Sequence, residues 1–159
     1  MIRILFICHG NICRSPMAEF VMKDLVQKAG LSSRFEIASA ATSTEELGNS
    51  VYPPARRKLA EHSIDCTGKT ARQLRREDYA RWDYLIGMDE ANRRNITRMC
   101  HGDPQGKISL LLDHPPAPVR WPIPGTPGTS SEHGRMCWRA VPPYWQKFGK
   151  RKDFDRFPS

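Results

Sequence analysis

The junction between an apolar run and the segment that follows it constrains this chain more than any other feature. Residues 2–7 are mostly apolar and β-prone, and they lead directly into Cys8. Five residues, among them Gly10, separate Cys8 from Arg14, and Pro16 then opens a helical pattern. A strand, a tight loop and a helix N-terminus in this order bind anions, because backbone N–H groups and the helix dipole direct positive charge at one point. The sequence therefore predicts a phosphate-binding loop after the first strand.

Cys8 is the predicted nucleophile at the floor of this loop. The positive field of such a loop favours an ionised thiolate at neutral pH, and the Ser15 hydroxyl is placed to donate to it. Arg14 is predicted to close the ring around the phosphate, because a guanidinium can bind two phosphate oxygens at once. Gly10 and Asn11 are the loop residues that adopt left-handed geometry most easily. Backbone N–H groups are predicted to bind the phosphoryl oxygens at His9, Gly10, Asn11, Ile12, Cys13 and Arg14.

A cysteine and an arginine at this spacing are weak evidence by themselves. Cys66 and Arg72 have the same spacing, but no apolar run precedes Cys66 and no serine follows Arg72. We therefore interpret the second match as coincidence. A buried core thiol is the alternative for Cys8, and the strand, loop and helix around it favour the catalytic interpretation.

Residues 6–19 resemble the signature of the low-molecular-weight protein tyrosine phosphatases. Three further stretches are similar to that family, namely 39–43, 69–74 and 86–92. The resemblance covers residues 1–114.

The resemblance implies a role for each of five loop residues. It implies Cys8 as the nucleophile, Arg14 as the phosphate clamp and Ser15 as the residue that stabilises the thiolate. It also implies that Asn11 shapes the loop. Cys13 is implied to be a redox partner that protects Cys8 in a reversible disulfide.

Alternating β-type and helical patterns predict the architecture. Strands are expected at 2–7, 35–41, 83–88 and 107–112, and helices at 17–29, from Pro53 to near His62, and at 90–100. This alternation indicates a three-layer α/β fold with a four-stranded parallel sheet, flanking helices and the phosphate loop after strand 1. Ligands bind at the carboxyl edge of such sheets, where that loop begins.

Composition excludes several classes of protein. The 159 residues contain no apolar stretch long enough for a membrane span, and the five cysteines form no disulfide framework. We therefore expect a cytoplasmic monomer that does not bind membranes. The five histidines form no ligand cluster, so we expect neither a metal nor a cofactor. Much of the net charge of +8 lies beyond residue 114, and no stacking motif accompanies it, so we expect no specific nucleic-acid partner.

The segment 115–159 departs from the pattern of the first 114 residues. It holds 9 of the 13 prolines and lacks helical periodicity, so we expect a phosphatase-like domain over 1–114 and an irregular, basic tail over 115–159. The family resemblance implies an Asp-Pro-aromatic loop with the general acid here, followed by a closing helix. The Asp-Pro at Asp103 precedes the fourth strand, so we assign no general acid and expect the closing helix to be lost. Asp113 is the one residue to consider in place of the general acid, although an aspartate at the end of a strand is more typical of a turn.

A shift of reading frame accounts for this departure. When the codons of residues 120–131 are regrouped from the third base of each, they permit Val-Ala-Asp-Pro-Trp-Tyr-Thr-Gly-Asp-Phe-Glu, which is the missing loop. A chance match of its central letters is expected roughly once in a thousand such searches. We hypothesise a one-frame slip near residues 114–116, in the gene or in its sequencing; a divergent tail is the alternative. An intact single frame with unrelated codons across 112–118 of the DNA would exclude the slip.

These observations predict a protein tyrosine phosphatase that acts through a cysteinyl-phosphate, with turnover reduced by the missing acid. Its substrate is expected to be a phosphotyrosine protein or a small aryl phosphate, and phosphoarginine is the alternative. His9 and Leu47 are expected to line the mouth of the phosphate-binding loop. One alternative is an arsenate reductase of the same fold, although Cys66 and Cys100 are not paired closely with other cysteines. The other is a module that binds a phosphate or phosphopeptide and barely cleaves it.

Overall fold

A four-stranded parallel sheet forms the centre of the computed structural model, which describes residues 1–113. Its strands are β1 (Ile2–Cys8), β2 (Phe35–Ala41), β3 (Tyr84–Gly87) and β4 (Ile108–Leu110), in the order β2-β1-β3-β4. The register places Cys8 beside Ala41 and Ile7 beside Gly87. The ends of β2 and β3 therefore lie on either side of the end of β1. The predicted four-stranded parallel sheet is confirmed.

Helices cover both faces of the sheet, which gives the predicted three layers. They are α1 (Arg14–Lys28), α2 (Pro53–Glu61), α3 (Asp78–Arg81) and α4 (Glu90–Met99). Ile4 and Phe6 of β1 pack in the core that α1 and α2 cover, whereas Leu5 and Ile7 pack in the core on the α4 side. All four side chains are fully buried. This explains why residues 4–7 are all apolar, because a strand covered on both faces has no polar side. Burial of each such side chain contributes about 1.5–3 kcal/mol.

The first helix begins earlier than its apolar period indicated. It starts at Arg14, with Cys13 at the N-cap position, so Pro16 is the third helical residue. A proline is tolerated there because the first N–H groups of a helix have no intrahelical acceptor. The consequence is that Arg14 and Ser15 belong to the first turn of α1.

Three short elements were missing from the sequence prediction, and two strands are shorter than predicted. The helix α3 has four residues, and 3₁₀ turns span Ser32–Arg34 and Leu111–Asp113. Elements this short carry too few residues to show a periodicity. The strand β4 ends at Leu110 because a 3₁₀ turn follows, in which the Asp113 carboxylate accepts the Leu110 N–H at 2.9 Å.

The predictions for 115–159, including the loss of a closing helix, lie outside the described residues. Among residues 1–113, none of the helices combines the length and the apolar character needed to cross a membrane.

Candidate active site

The loop of residues 9–13 lies at the carboxyl edge of the sheet, between the end of β1 and the start of α1. Asn11 has a left-handed backbone conformation with φ of 58°, whereas Gly10 does not have a positive φ. Of the two residues expected to have left-handed geometry, Asn11 has it and Gly10 does not. Gly10 serves a different purpose, since a β-carbon there would lie 3.3 Å from the Glu46 side chain. A close neighbour, and not backbone strain, favours a glycine at this position.

The sulfur of Cys8 is buried at the base of this loop, and among residues 1–113 it has hydrogen-bond contacts with Ser15 and Asn11. Its Sγ lies 3.0 Å from the Ser15 Oγ, and it accepts the backbone N–H of Asn11 at 3.3 Å. The Cys8 side chain is 3% exposed and Ser15 is fully buried. Both groups are able to donate a hydrogen bond to the sulfur.

The side-chain amide of Asn11 ties the loop to three other segments. Its Nδ2 donates to Ser15 Oγ and to Ser39 Oγ, each at 2.8 Å. Its Oδ1 accepts the backbone N–H of Arg72 at 3.2 Å. The loop is thereby attached to α1, to β2 and to the segment that precedes α3. These bonds offset the cost of a left-handed conformation at a residue other than glycine.

Arg14 is oriented by an aspartate that the sequence analysis did not identify as a site residue. The Arg14 Nη1 lies 2.7 Å from Asp89 Oδ2. The other oxygen of Asp89 accepts the Asn92 N–H at 2.8 Å, and Asp89 is the N-cap of α4. One carboxylate therefore caps a helix and holds the guanidinium. An aspartate directly before a helical pattern is a helix-start signal, but the contact with Arg14 spans 75 residues of sequence.

Cys13 differs from Cys8 in its surroundings. Burial, together with negative charge at Cys8, raises the pKa of Cys13 to about 11, although Arg14 acts in the opposite direction. Cys13 is therefore a neutral thiol at pH 7. Cys8 and Cys13 are both free cysteines in this structure.

The mouth of the loop carries an ion pair. The His9 Nε2 lies 3.0 Å from Glu45 Oε2, and both side chains are more than half exposed. Leu47, in the same segment as Glu45, is an exposed large apolar side chain. Glu45 was not among the predicted site residues, because an exposed carboxylate in a loop has no local signature.

The second cysteine–arginine match does not form a phosphate loop. The guanidinium of Arg72 binds Asp78 through two nitrogens at 3.0 and 3.2 Å. Burial raises the pKa of Cys66, which packs in the core beneath α1 and α2. Arg72 instead contributes to the first loop through its backbone N–H.

Asp113, the residue that the sequence offered in place of the general acid, is engaged elsewhere. Its carboxylate accepts from Arg93 Nη2 at 2.5 Å and from the Leu110 N–H of β4 at 2.9 Å. Among residues 1–113, no three His, Cys, Asp or Glu side chains gather closely enough to hold a metal ion.

Comparisons with known proteins agree with this geometry. The family described as low molecular weight phosphotyrosine protein phosphatase matches residues 3–136. A protein of that name from Rattus norvegicus is 42% identical over 115 residues, which cover 71% of this chain and 72% of the relative. Its namesake from Schizosaccharomyces pombe is 44% identical over 114 residues, with coverage of 71% and 72%.

Solved structures show the same similarity. YfkJ from Bacillus subtilis superposes with a TM-score of 0.82 at 29% identity, covering 98% of each chain. The low molecular weight protein tyrosine phosphatase SP-PTP from Streptococcus pyogenes superposes with a TM-score of 0.77 at 29% identity, covering 98% of this chain and 99% of its own. With its loop after β1 and this extent of sequence similarity, the chain belongs to the low molecular weight phosphotyrosine protein phosphatase family.

Proposed function

We propose that this chain is a protein tyrosine phosphatase that hydrolyses phosphotyrosine through a cysteinyl-phosphate intermediate. The observation that carries the proposal is the buried sulfur of Cys8, which lies within hydrogen-bond distance of the Ser15 hydroxyl and the Asn11 N–H. A sulfur in this environment is suited to react as a thiolate.

In the proposed first step the Cys8 thiolate attacks the phosphorus. An S–P bond forms and the bond between phosphorus and the phenolic oxygen breaks. The backbone N–H groups of residues 9–14 and the Arg14 guanidinium stabilise the charge on the equatorial oxygens. Water then attacks the phosphorus, which releases inorganic phosphate and restores the thiolate.

Asp89 supports the role proposed for Arg14. A guanidinium held on one edge by a carboxylate loses less conformational freedom when it binds phosphate with its remaining N–H groups. The Arg14 side chain is only 17% exposed, so the ion pair is partly shielded from solvent.

Protonation of the leaving group is the step for which we assign no residue. A tyrosine phenolate has a pKa near 10, and general-acid assistance typically contributes a factor of about 10²–10⁴. Asp113 is engaged by Arg93 and by the Leu110 N–H. We therefore propose that turnover is reduced and that it depends steeply on the acidity of the leaving group.

The proposal is tested by single-turnover hydrolysis of para-nitrophenyl phosphate and phenyl phosphate, with acid quench to trap phosphoprotein. We expect phosphate on Cys8, faster cleavage of the nitrophenyl ester, and no cleavage by Cys8→Ser. Arg14→Lys should lose at least tenfold in rate, because lysine lacks the two-pronged geometry. Turnover that survives in Cys8→Ser would refute the proposal.

Measurements of phosphate binding and of arsenate-dependent thiol consumption, made beside this experiment, separate the alternatives. If the chain were a phosphate-binding module, it would bind phosphate at equilibrium but would form no phosphoprotein. An arsenate reductase would need further thiols near Cys8 and would consume thiol with arsenate. Cys66 and Cys100 pack in cores on opposite faces of the sheet, which supports the hydrolase.

Several finer features are also part of the proposal. We place the enzyme in the cytoplasm, as a monomer that needs no metal or cofactor and acts on phosphotyrosine proteins or small aryl phosphates. Free thiols at all four described cysteines suit a reducing compartment. We propose Cys13 as the redox partner of Cys8, residues 1–114 as the phosphatase-like domain, and 115–159 as a separate tail.

A further inference from the structure

A chain of buried hydrogen bonds connects Glu19 to the sulfur of Cys8. The Ser39 hydroxyl donates to Glu19 Oε2. The same Ser39 oxygen accepts from Asn11 Nδ2, which also donates to Ser15 Oγ, and that oxygen lies 3.0 Å from Cys8 Sγ. Every member of this chain is at most 3% exposed. Water therefore does not substitute for any of these bonds.

The hydrogen-bonding capacity of each group determines the direction of the whole chain. The backbone N–H of Arg72 can only donate, so the atom of Asn11 that faces it is the oxygen and Nδ2 is the donor. A carboxylate can only accept, so the single hydrogen of Ser39 is directed to Glu19. The Ser39 oxygen is then left to accept one hydrogen of the Asn11 amide.

The same reasoning fixes the bond to the sulfur. The second hydrogen of the Asn11 amide is directed to Ser15 Oγ. Ser15 accepts that bond, so its own single hydrogen is available to Cys8 Sγ. With this direction the sulfur is the acceptor at the end of the series of bonds from Glu19, and a thiolate accepts more strongly than a thiol.

Two lysines balance the charge of the buried carboxylate. Lys23 Nζ lies 2.6 Å from Glu19 Oε1, and Lys69 Nζ lies 3.4 Å from Oε2. Lys69 also donates to the carbonyl oxygen of Ser39 at 3.2 Å. Burial lowers the pKa of Lys69, while Glu19 acts to raise it. Near the sulfur, Cys13 interacts electrostatically with Cys8 and with Arg14.

We infer that Glu19 is a positioning residue, which orients the Ser39 hydroxyl and thereby directs the Ser15 hydroxyl at the nucleophilic sulfur. This inference rests on the proposed function, because it concerns the same thiolate. Glu19 contacts Ser39, Lys23 and Lys69, and acts on Cys8 through Ser39, Asn11 and Ser15.

The test is the pH dependence of Cys8 alkylation by iodoacetamide in the full-length Glu19→Gln variant, with the modified residue located by fragmentation mass spectrometry. A glutamine keeps the size of the side chain but presents an N–H group to one of the donors that face Glu19. We expect the midpoint for Cys8 alkylation to rise by about one pH unit, a tenfold loss of thiolate at lower pH. The matched control is Glu36→Gln, a carboxylate on β2 that pairs with Arg3 and Arg81. Its midpoint should equal that of the wild type.

Ser39→Ala provides an independent test that leaves the ion pairs of Glu19 in place. If Glu19 acts through the Ser39 hydroxyl, Ser39→Ala alone raises the midpoint, and adding Glu19→Gln produces no further rise. A normal midpoint in folded Ser39→Ala, or additive shifts in the double variant, would overturn the inference. A wild-type Cys8 that reacts no faster than an ordinary thiol at mildly acidic pH would instead refute the proposed function. Thermal unfolding of each variant shows separately whether the fold is intact.

Discussion

Removing the charge of Asp89 tests how the loop arginine is held in place. In Asp89→Asn one amide oxygen replaces two carboxylate oxygens, of which Oδ2 lies 2.7 Å from Arg14 Nη1 and Oδ1 accepts the Asn92 N–H in the wild type. Asparagine is also a good N-cap, so α4 keeps its start. With its oxygen retained at the Asn92 N–H, the side chain presents an NH2 group to Arg14, so the substitution removes the charge and the acceptor at that contact and leaves the helix cap in place.

The magnitude follows from the strength of that contact. A hydrogen bond to a charged group contributes about 1.5–3 kcal/mol, roughly twice as much as a neutral one. After allowance for the 31% exposure of the Asp89 side chain, the loss of charge should cost about 1 kcal/mol in transition-state stabilisation. That corresponds to about a fivefold fall in kcat/KM for para-nitrophenyl phosphate. The free energy of unfolding should change by less than about 0.5 kcal/mol.

The matched control is Asp113→Asn, which removes a carboxylate that pairs with Arg93 at a position to which we assign no catalytic role. Its kcat/KM should equal the wild-type value. An unchanged kcat/KM in Asp89→Asn would refute the argument that Asp89 orients Arg14. An equal fall in both variants would attribute the effect to overall charge.

Three further outcomes follow from the geometry. Asn11→Ala removes three side-chain hydrogen bonds that support a left-handed backbone conformation. The free energy of unfolding, measured by urea denaturation, should therefore fall by about 3 kcal/mol, and a fall below about 1 kcal/mol would contradict this. Gly87→Ala would place a β-carbon 3.1 Å from the Asn92 Cβ and should cost about 1–3 kcal/mol; an unchanged Tm would mean that α4 moves aside freely. Because burial raises the pKa of Cys13 to about 11, the Cys13 thiol should stay unreactive to iodoacetamide at pH 7 and become reactive only as the pH approaches that value; rapid alkylation of Cys13 at pH 7 would refute this environment.

Local patterns predicted the elements that form the base of the site. The apolar run of β1, the loop after it and the helix that follows are contiguous, and each of them is determined mainly by neighbours in sequence. The start of α1 was the exception, because Arg14 and Ser15 carry no apolar period. The first turn of a helix is defined by backbone bonds, such as that from the Met17 N–H to the Cys13 carbonyl at 3.1 Å.

The amino-acid sequence by itself determined that a cysteine, a tight loop and an arginine lie between a buried strand and a helix in a parallel sheet. Only the tertiary structure decided which distant side chains complete that site. Asn11 meets Arg72, Arg14 meets Asp89 and Glu19 meets Ser39. The physical reason is the strand register, which pairs Cys8 with Ala41 and Ile7 with Gly87. Pairing between strands that lie far apart in sequence depends on the packing of the whole sheet, and no local pattern encodes it.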